Sequence, residues 1–279
     1  MGGLGNQMFQ YAAGKALALH LNTDLKLDDS YLKKDPGGKY TQRHFDLDGF
    51  KMSERLISNF EFFKLDSKFT RGIRRIFKLK SNLLNENGQN YNADFFNSTD
   101  NVIVNGYWQS EKYFLKYEEQ IRKDLTIKEE LLKGTEEWLA KISKVNSVSI
   151  HVRRGDYISH KHANYFHGVC SIDYYKEAVN LIARSNSDIE LFVFSDDIEW
   201  CKQNLKFEYP IFYVETKSAY KDLYLMQNCK HNIIANSSFS WWGAWLNRNN
   251  AKIVVAPKNW FANDSINTSD LYPEKWIRL

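Results

Sequence analysis

The stretch SVSIHVRRGDY, Ser147–Tyr157, decides how the chain is read. Val148, Ile150 and Val152 make a β-branched run of strand length that ends on two arginines, a glycine and an acid. Downstream, strands and helices alternate. A helix is expected over 173–184, a strand over 189–195 (IELFVFS) and a helix over 198–205. A strand over 211–214 (IFYV) and a helix over 219–229 follow, then a strand over 232–235 (NIIA) and a helix over 240–246. A last strand, KIVVA at 252–256, stops at Pro257. Strands separated by single helices imply right-handed crossovers and a parallel sheet, an α/β fold.

Upstream the pattern is looser. GGLGNQMFQYAAGKALALHL opens on a glycine-rich turn and runs into a helix, with Met8, Tyr11, Ala12, Lys15, Ala16 and Leu19 at helical spacing. Leu25 and Leu27 alternate with polar residues as a short strand, and 102–104 is a buried strand candidate. Short helical pieces are expected over 54–63, and two helices over 110–125 and 128–142. The change of pattern near residues 144–147 divides the chain into domains 1–145 and 146–279. No strand stands before the glycine-rich turn, so either the given sequence starts inside the domain or that sheet lacks one strand, and the first domain reads as irregular.

Composition narrows the function. With 279 residues, 43% hydrophobic and 26% charged, the chain has the make-up of a globular protein large enough to hold a cleft, which excludes a disordered or fibrous chain. Net charge is +4, short of a nucleic-acid footprint, so no nucleic-acid partner is expected. Cys170, Cys201 and Cys229 are odd in number and widely spaced, which argues against a disulfide framework and for a reducing, cytoplasmic setting. No apolar run reaches the length of a membrane span. The basic run from Lys64 to Lys80 is read first as a solvated helix, and as its sharper alternative a peripheral contact with an anionic membrane face or a lipid-linked acceptor. The 15% aromatic content is read as packed core before sugar platform.

Open α/β sheets bind ligands at the carboxyl ends of their strands, so the residues after each strand matter most. Alternation puts His151 and Arg153 on one face, Val152 and Arg154 on the other. Two permanently charged, bidentate guanidinium groups beside Gly155 suit a pyrophosphate, and this reading is preferred to an internal ion pair with Asp156. After NIIA, the run Asn236, Ser237, Ser238 and Ser240 opens a helix whose free N–H groups favour phosphate, an ordinary N-cap being the plainer alternative. Trp241, Trp242 and Trp245 fall inside that helix and read as core. Asp196 and Asp197 could hold a divalent metal, but a cap for the next helix is preferred, because the arginines already supply positive charge. GGLGNQ matches neither GxGxxG nor the P-loop, and GxSxG and HExxH are absent.

Taken together, GGLGNQMFQYA at the start, GYWQSEKYF at 106–114, HVRRGDY at 151–157, FSDDIEWCK at 194–202 and NSSFSWWGAWLN at 236–247 closely resemble the bacterial α-1,2-fucosyltransferases of glycosyltransferase family 11. The motifs lie in the same order and span nearly the whole chain. The chain departs from the family in lacking the strand before GGLGNQ and in a loop after Tyr157 that carries His160, His162 and His167. The resemblance implies a GT-B architecture, two Rossmann-like domains facing a central cleft, with the donor held by the carboxyl-terminal half. It implies GDP-β-L-fucose as donor, a terminal galactose on an oligosaccharide or lipid-linked glycan as acceptor, an inverted α-1,2 linkage, and no metal or other cofactor. It places Arg153 on the pyrophosphate, His151 near the guanine, Arg154 in support and Asn6 facing the cleft; Asp156 is the candidate general base. The rival readings are a related fucosyltransferase with another acceptor and a non-catalytic nucleotide- or carbohydrate-binding protein.

Overall fold

The computed structural model describes residues 1–34, 37, 42–58, 61, 82–155, 168–263 and 265–279. The chain forms two compact units, Met1–Thr126 with Asn267–Tyr272, and Ile127–Ile266 with Pro273–Leu279.

The first unit is built on α1 (Leu4–Leu21), which starts directly on Gly3 and ends where Asn22 turns left-handed at φ 54°. Met8, Tyr11, Ala12 and Ala16 are buried as the spacing expects, but Phe9, Ala13 and Leu17 are buried too, while Leu19 is exposed. The helix is therefore wrapped on more than one face. β1 (Lys26–Leu27) pairs in parallel with β2 (Arg55–Leu56), and β3 (Leu83–Asn85) with β4 (Ile103–Asn105). Among the described residues these are two separate two-stranded pairs rather than one sheet, in keeping with an irregular first domain. The helical reading of 54–63 is corrected at its start: Arg55–Leu56 is strand, held beside Lys26–Leu27, while Glu61 is helical and residues 59, 60, 62 and 63 lie outside the described residues.

The continuous helix expected over 110–125 is also corrected. The segment begins as two single 3₁₀ turns, Glu111–Tyr113 and Leu115–Tyr117, and only Glu118–Asp124 (α2) is α-helical. Phe114, at φ −135° and ψ 0°, breaks the run, and Tyr113 and Phe114 are both buried. The 128–142 segment likewise splits into a 3₁₀ turn, Glu129–Leu131, and α3 (Glu136–Lys144). Gly134, at φ +86°, turns the chain between them.

The second unit carries the expected alternation: β5 (Asn146–Val152), α4 (Ile172–Ala183), β6 (Ile189–Ser195), α5 (Ile198–Asn204), β7 (Ile211–Tyr213), α6 (Ala219–Asn228), β8 (His231–Ile233), α7 (Ser238–Leu246) and β9 (Val254–Ala256). A sixth strand, β10 (Ile277–Arg278), escaped the sequence reading. All pairings are parallel, in the order β10-β9-β8-β5-β6-β7. Numbered within the unit from β7 to β10 this is 3-2-1-4-5-6, the doubly wound order, whose direction of travel reverses between β5 and β8.

β5 shows why the sheet is buried on both faces. Val148, Ile150 and Val152 pack with Tyr175, Ala178 and Ile182 of α4. The alternate residues Ser147, Ser149 and His151 are buried on the opposite face. There Asn232 Nδ2 donates to Ser149 Oγ at 2.7 Å and the Lys230 N–H to Ser147 Oγ at 3.0 Å, so this polar row is paired except at its carboxyl end.

Candidate functional site

The loops after β5 and β8 flank the point where the strand order reverses, the position at which open α/β sheets leave a crevice. Two tyrosines of α4 brace the strand ends beneath it. Tyr175 donates to the His151 carbonyl at 3.2 Å, and Tyr174 Oη lies 2.6 Å from the Ile234 carbonyl and 3.1 Å from that of Val255.

His151 is the last inward residue of the polar row. Its Nδ1 is buried with no hydrogen-bond partner among the described residues, and its ring lies 5.6 Å from that of Phe239 in the first turn of α7. Burial, reinforced by the Arg153 charge and opposed by Asp196, holds its pKa well below the usual histidine value, so the ring is neutral at physiological pH.

The two arginines diverge as alternation expects. Arg153 Nη1 lies 3.0 Å from Asp196 Oδ2. Arg154 turns to α5: its Nε donates to Asp197 Oδ2 at 3.2 Å, and its guanidinium carbon lies 3.7 Å from the centroid of the Trp200 ring. Asp197 is also the expected helix cap, accepting the Trp200 N–H at 3.2 Å. Asp196 Oδ1 accepts the Arg154 backbone N–H at 2.9 Å. Both carboxylates that sequence reading weighed as metal ligands therefore face arginines. Among the described residues no group of three or more His, Cys, Asp or Glu side chains is disposed to hold a metal ion. A Cβ at Gly155 would stand 2.7 Å from Asp196 Oδ2, so glycine keeps this approach open.

At the second loop, the side chains and the backbone divide the work. Asn236 is buried and donates to the Gly168 and Trp260 carbonyls at 3.4 and 3.2 Å. Ser240 Oγ turns back to the Ser237 carbonyl at 3.2 Å. Ser237 occupies the N-cap without a side-chain capping bond, and Ser238 is half-buried. The first N–H groups of a helix have no intrahelical acceptor, so the backbone of α7 rather than Asn236 or Ser240 offers donors here. Trp241, Trp242 and Trp245 are buried core.

Sequence reading missed a further acid at the carboxyl end of the sheet. After β7, Asp222 in the first turn of α6 accepts from Thr216 Oγ1 at 2.6 Å, and burial pushes its pKa up to about 6. The first-turn position could have signalled it, but an acid there also suits any helix N-terminus.

In the first unit, Asn6 Oδ1 accepts from Gln109 Nε2 at 2.8 Å. Its neighbour Gln7 donates to the Gly2 and His44 carbonyls and accepts from the Asp46 N–H, tying the 43–46 loop to α1. Asp156, the histidines His160, His162 and His167, and the basic run from Lys64 to Lys80 lie outside the described residues. Among the described residues no helix is long and apolar enough to cross a membrane.

The model of glycosyl transferase family 11 matches residues 74–279. An α-1,2-colitosyltransferase of Escherichia coli is 38% identical over all of this chain and 96% of that protein. The O-antigen biosynthesis glycosyltransferase WbnK, also of Escherichia coli, is 39% identical over all of this chain and 98% of its own length. A galactoside α-(1,2)-fucosyltransferase 1 of Leontocebus fuscicollis is 27% identical over 51% of this chain and 42% of that protein. A family match over more than half of the sequence, with full-length relatives above one third identical, establishes that this chain belongs to glycosyltransferase family 11.

Proposed function

We propose that the chain transfers L-fucose from GDP-β-L-fucose to the 2-hydroxyl of a terminal galactose on an oligosaccharide or lipid-linked glycan, with inversion to an α-1,2 linkage. Residues 146–279 hold the donor and residues 1–145 serve the acceptor side of a GT-B enzyme. The observation that carries this reading is the pairing of the Arg153–Arg154 turn after β5 with the uncapped start of α7 after β8, at the reversal point of a 3-2-1-4-5-6 sheet.

The roles follow from charge. Cleavage of the sugar–phosphate bond puts negative charge on departing GDP and oxocarbenium character on the sugar. Fixed donors aimed at that growing charge lower the barrier. Arg153 supplies them, backed by Asp196; Arg154, held on Trp200 and Asp197, supports it; and the α7 backbone from Ser238 to Ser240 adds N–H donors, Ser237 leading into the turn with its own N–H held by the Ala235 carbonyl at 2.8 Å. Asn236 fixes the loop that presents them. His151 is neutral, and its buried Nδ1, without a hydrogen-bond partner among the described residues, is assigned to a base edge such as guanine. Asn6 is a substrate-contacting amide. The acceptor hydroxyl attacks from the face opposite GDP, with Asp156 as the proposed base. With guanidinium groups in this role, transfer proceeds without a metal or other cofactor. The reaction belongs in a reducing cytoplasm, where the free thiols of Cys170, Cys201 and Cys229 stay reduced, and peripheral contact of the Lys64-to-Lys80 run with an anionic membrane face is the alternative to a plain solvated surface.

Incubation with GDP-fucose and a panel of galactose-terminated glycans, followed by linkage analysis, tests this directly. A 2-linked α-fucoside is expected; hydrolysis alone, or no product, contradicts it. A second donor belongs in the same assay: one relative is named an α-1,2-colitosyltransferase, so a nucleotide-linked colitose, fucose without its 3-hydroxyl, is tried beside GDP-fucose.

A further inference from the structure

Two local rules are broken side by side in the first unit. Trp108 is held at φ +57°, a conformation costly for a bulky residue, and its indole N–H is buried without a partner among the described residues. The distortion is imposed from one direction. Glu86 accepts the backbone N–H groups of Tyr107 and Trp108, both at 2.7 Å, and a Cβ at Gly106 would collide with the Glu86 side chain. The Ser110 N–H returns to the Trp108 carbonyl at 2.8 Å, and Ser110 Oγ donates to the Asp270 carbonyl. The backbone on either side of Gln109 is thereby fixed.

What this strained turn delivers is the Gln109 side chain. Gln109 is buried, and its Nε2 donates to Asn6 Oδ1 at 2.8 Å, joining two motifs 103 residues apart. Asn6 itself is only half-buried. Its Nδ2 sits over Gly2, where a Cβ would approach to 2.6 Å, and Gly2 is at φ +77°. The glycine leaves room for the amide and Gln109 selects its orientation: with the oxygen occupied, the NH₂ group is the free face.

We infer that Gln109 is a positioning residue that fixes the Asn6 carboxamide so that Nδ2 donates to an oxygen of the substrate in the transition state. This rests on the reading of Asn6 as a substrate-contacting amide. Strained backbone persists where the surroundings enforce it and tends to mark functional positions, and here the enforced turn has one evident output.

A double-mutant cycle separates this role from a structural one. Asn6→Ala is expected to lower kcat by about 100-fold, the scale of losing one donor aimed at developing charge. Gln109→Ala and Gln109→Glu, the latter equal in length but unable to donate as a carboxylate, are expected to lower kcat by about 5–15-fold, the scale of one hydrogen bond, with both KM values within twofold and thermal midpoints unchanged. Adding Gln109→Ala to Asn6→Ala is expected to cost nothing further, because Gln109 acts only through Asn6. Multiplicative losses in the double variant, or Gln109 variants that melt earlier yet keep wild-type kcat, would overturn the inference while leaving Asn6 in place. Wild-type kcat in Asn6→Ala would overturn both.

Discussion

Asp196 grips the arginine turn at two points: its Oδ2 lies 3.0 Å from Arg153 Nη1 and its Oδ1 accepts the Arg154 backbone N–H at 2.9 Å. One carboxylate just after β6 thus orients both the side chain and the main chain that follow β5. The pair is part-exposed, so its worth lies in geometry more than in stability. A guanidinium oriented by a carboxylate presents a fixed fork, which is what recognition of a diphosphate requires.

Gly155→Ala tests that clamp by sterics alone. The new methyl group would stand 2.7 Å from Asp196 Oδ2, a conflict with that side chain which pushes the carboxylate away from Arg153. Transfer is expected to fall by at least about tenfold, the scale of a misplaced catalytic group, with the thermal midpoint nearly unchanged. Unchanged steady-state kinetics would show that the clamp is dispensable.

Trp200→Leu removes the aromatic face under Arg154, 3.7 Å from its guanidinium carbon, but leaves Asp197 in place. A cation–π contact of about 0.5–2 kcal/mol corresponds to a donor KM raised roughly 2–30-fold. The acceptor KM is expected to stay constant. A change confined to the acceptor would assign Arg154 to the other substrate.

Asp222→Asn should stabilise the protein at neutral pH. The folded-state pKa of Asp222 is raised to about 6 from 3.8, so between those values the native state holds a proton that the unfolded chain has lost, and at neutral pH the native state carries a partly buried charge. Stability attributable to this group falls as pH rises from about 4 to 6, and the cost is fully present above about 6. The amide still accepts from Thr216 and carries no charge. Denaturant melts at pH 7.5 are expected to show a gain on the order of 1–3 kcal/mol that disappears near pH 4. An equal gain at both pH values would point to a cause other than ionisation.

Chelation is expected to leave transfer unchanged. Asp196 and Asp197 face arginines, and those guanidinium groups supply the positive charge beside the leaving phosphate. Assays with EDTA, followed by added Mn²⁺, check this. A large loss restored by the metal would reassign the two aspartates.

The second unit was legible because its signals are local. Val148, Ile150 and Val152 need burial, and a strand with a helix laid over it is the cheapest way to provide it, so the β-branched run predicts its own environment. The turn after it was legible because Arg153 and Arg154 are too polar for a strand interior. The first unit hid its organisation because its contacts are long-range. Nothing beside Gln109 in sequence points to Asn6, and Lys15, placed on the core stripe of α1, is accommodated only because it pairs with Glu54. The helix expected over 110–125 failed where burial of Tyr113 and Phe114 outweighed helical spacing. Asn236 and Ser240 illustrate a subtler limit: the loop was located, but that their side chains would turn inward, leaving the backbone to face a ligand, depended on carbonyls at Gly168, Trp260 and Ser237.

Titration calorimetry of GDP against the wild-type protein and Arg153→Ala reaches the centre of the account. Saturable one-to-one binding by the wild type is expected. The variant should melt at the same temperature yet bind more weakly by about 10-fold or more, as loss of a charge-assisted contact requires. Equal affinity in the two proteins, or no heat with wild type at millimolar nucleotide, would contradict it.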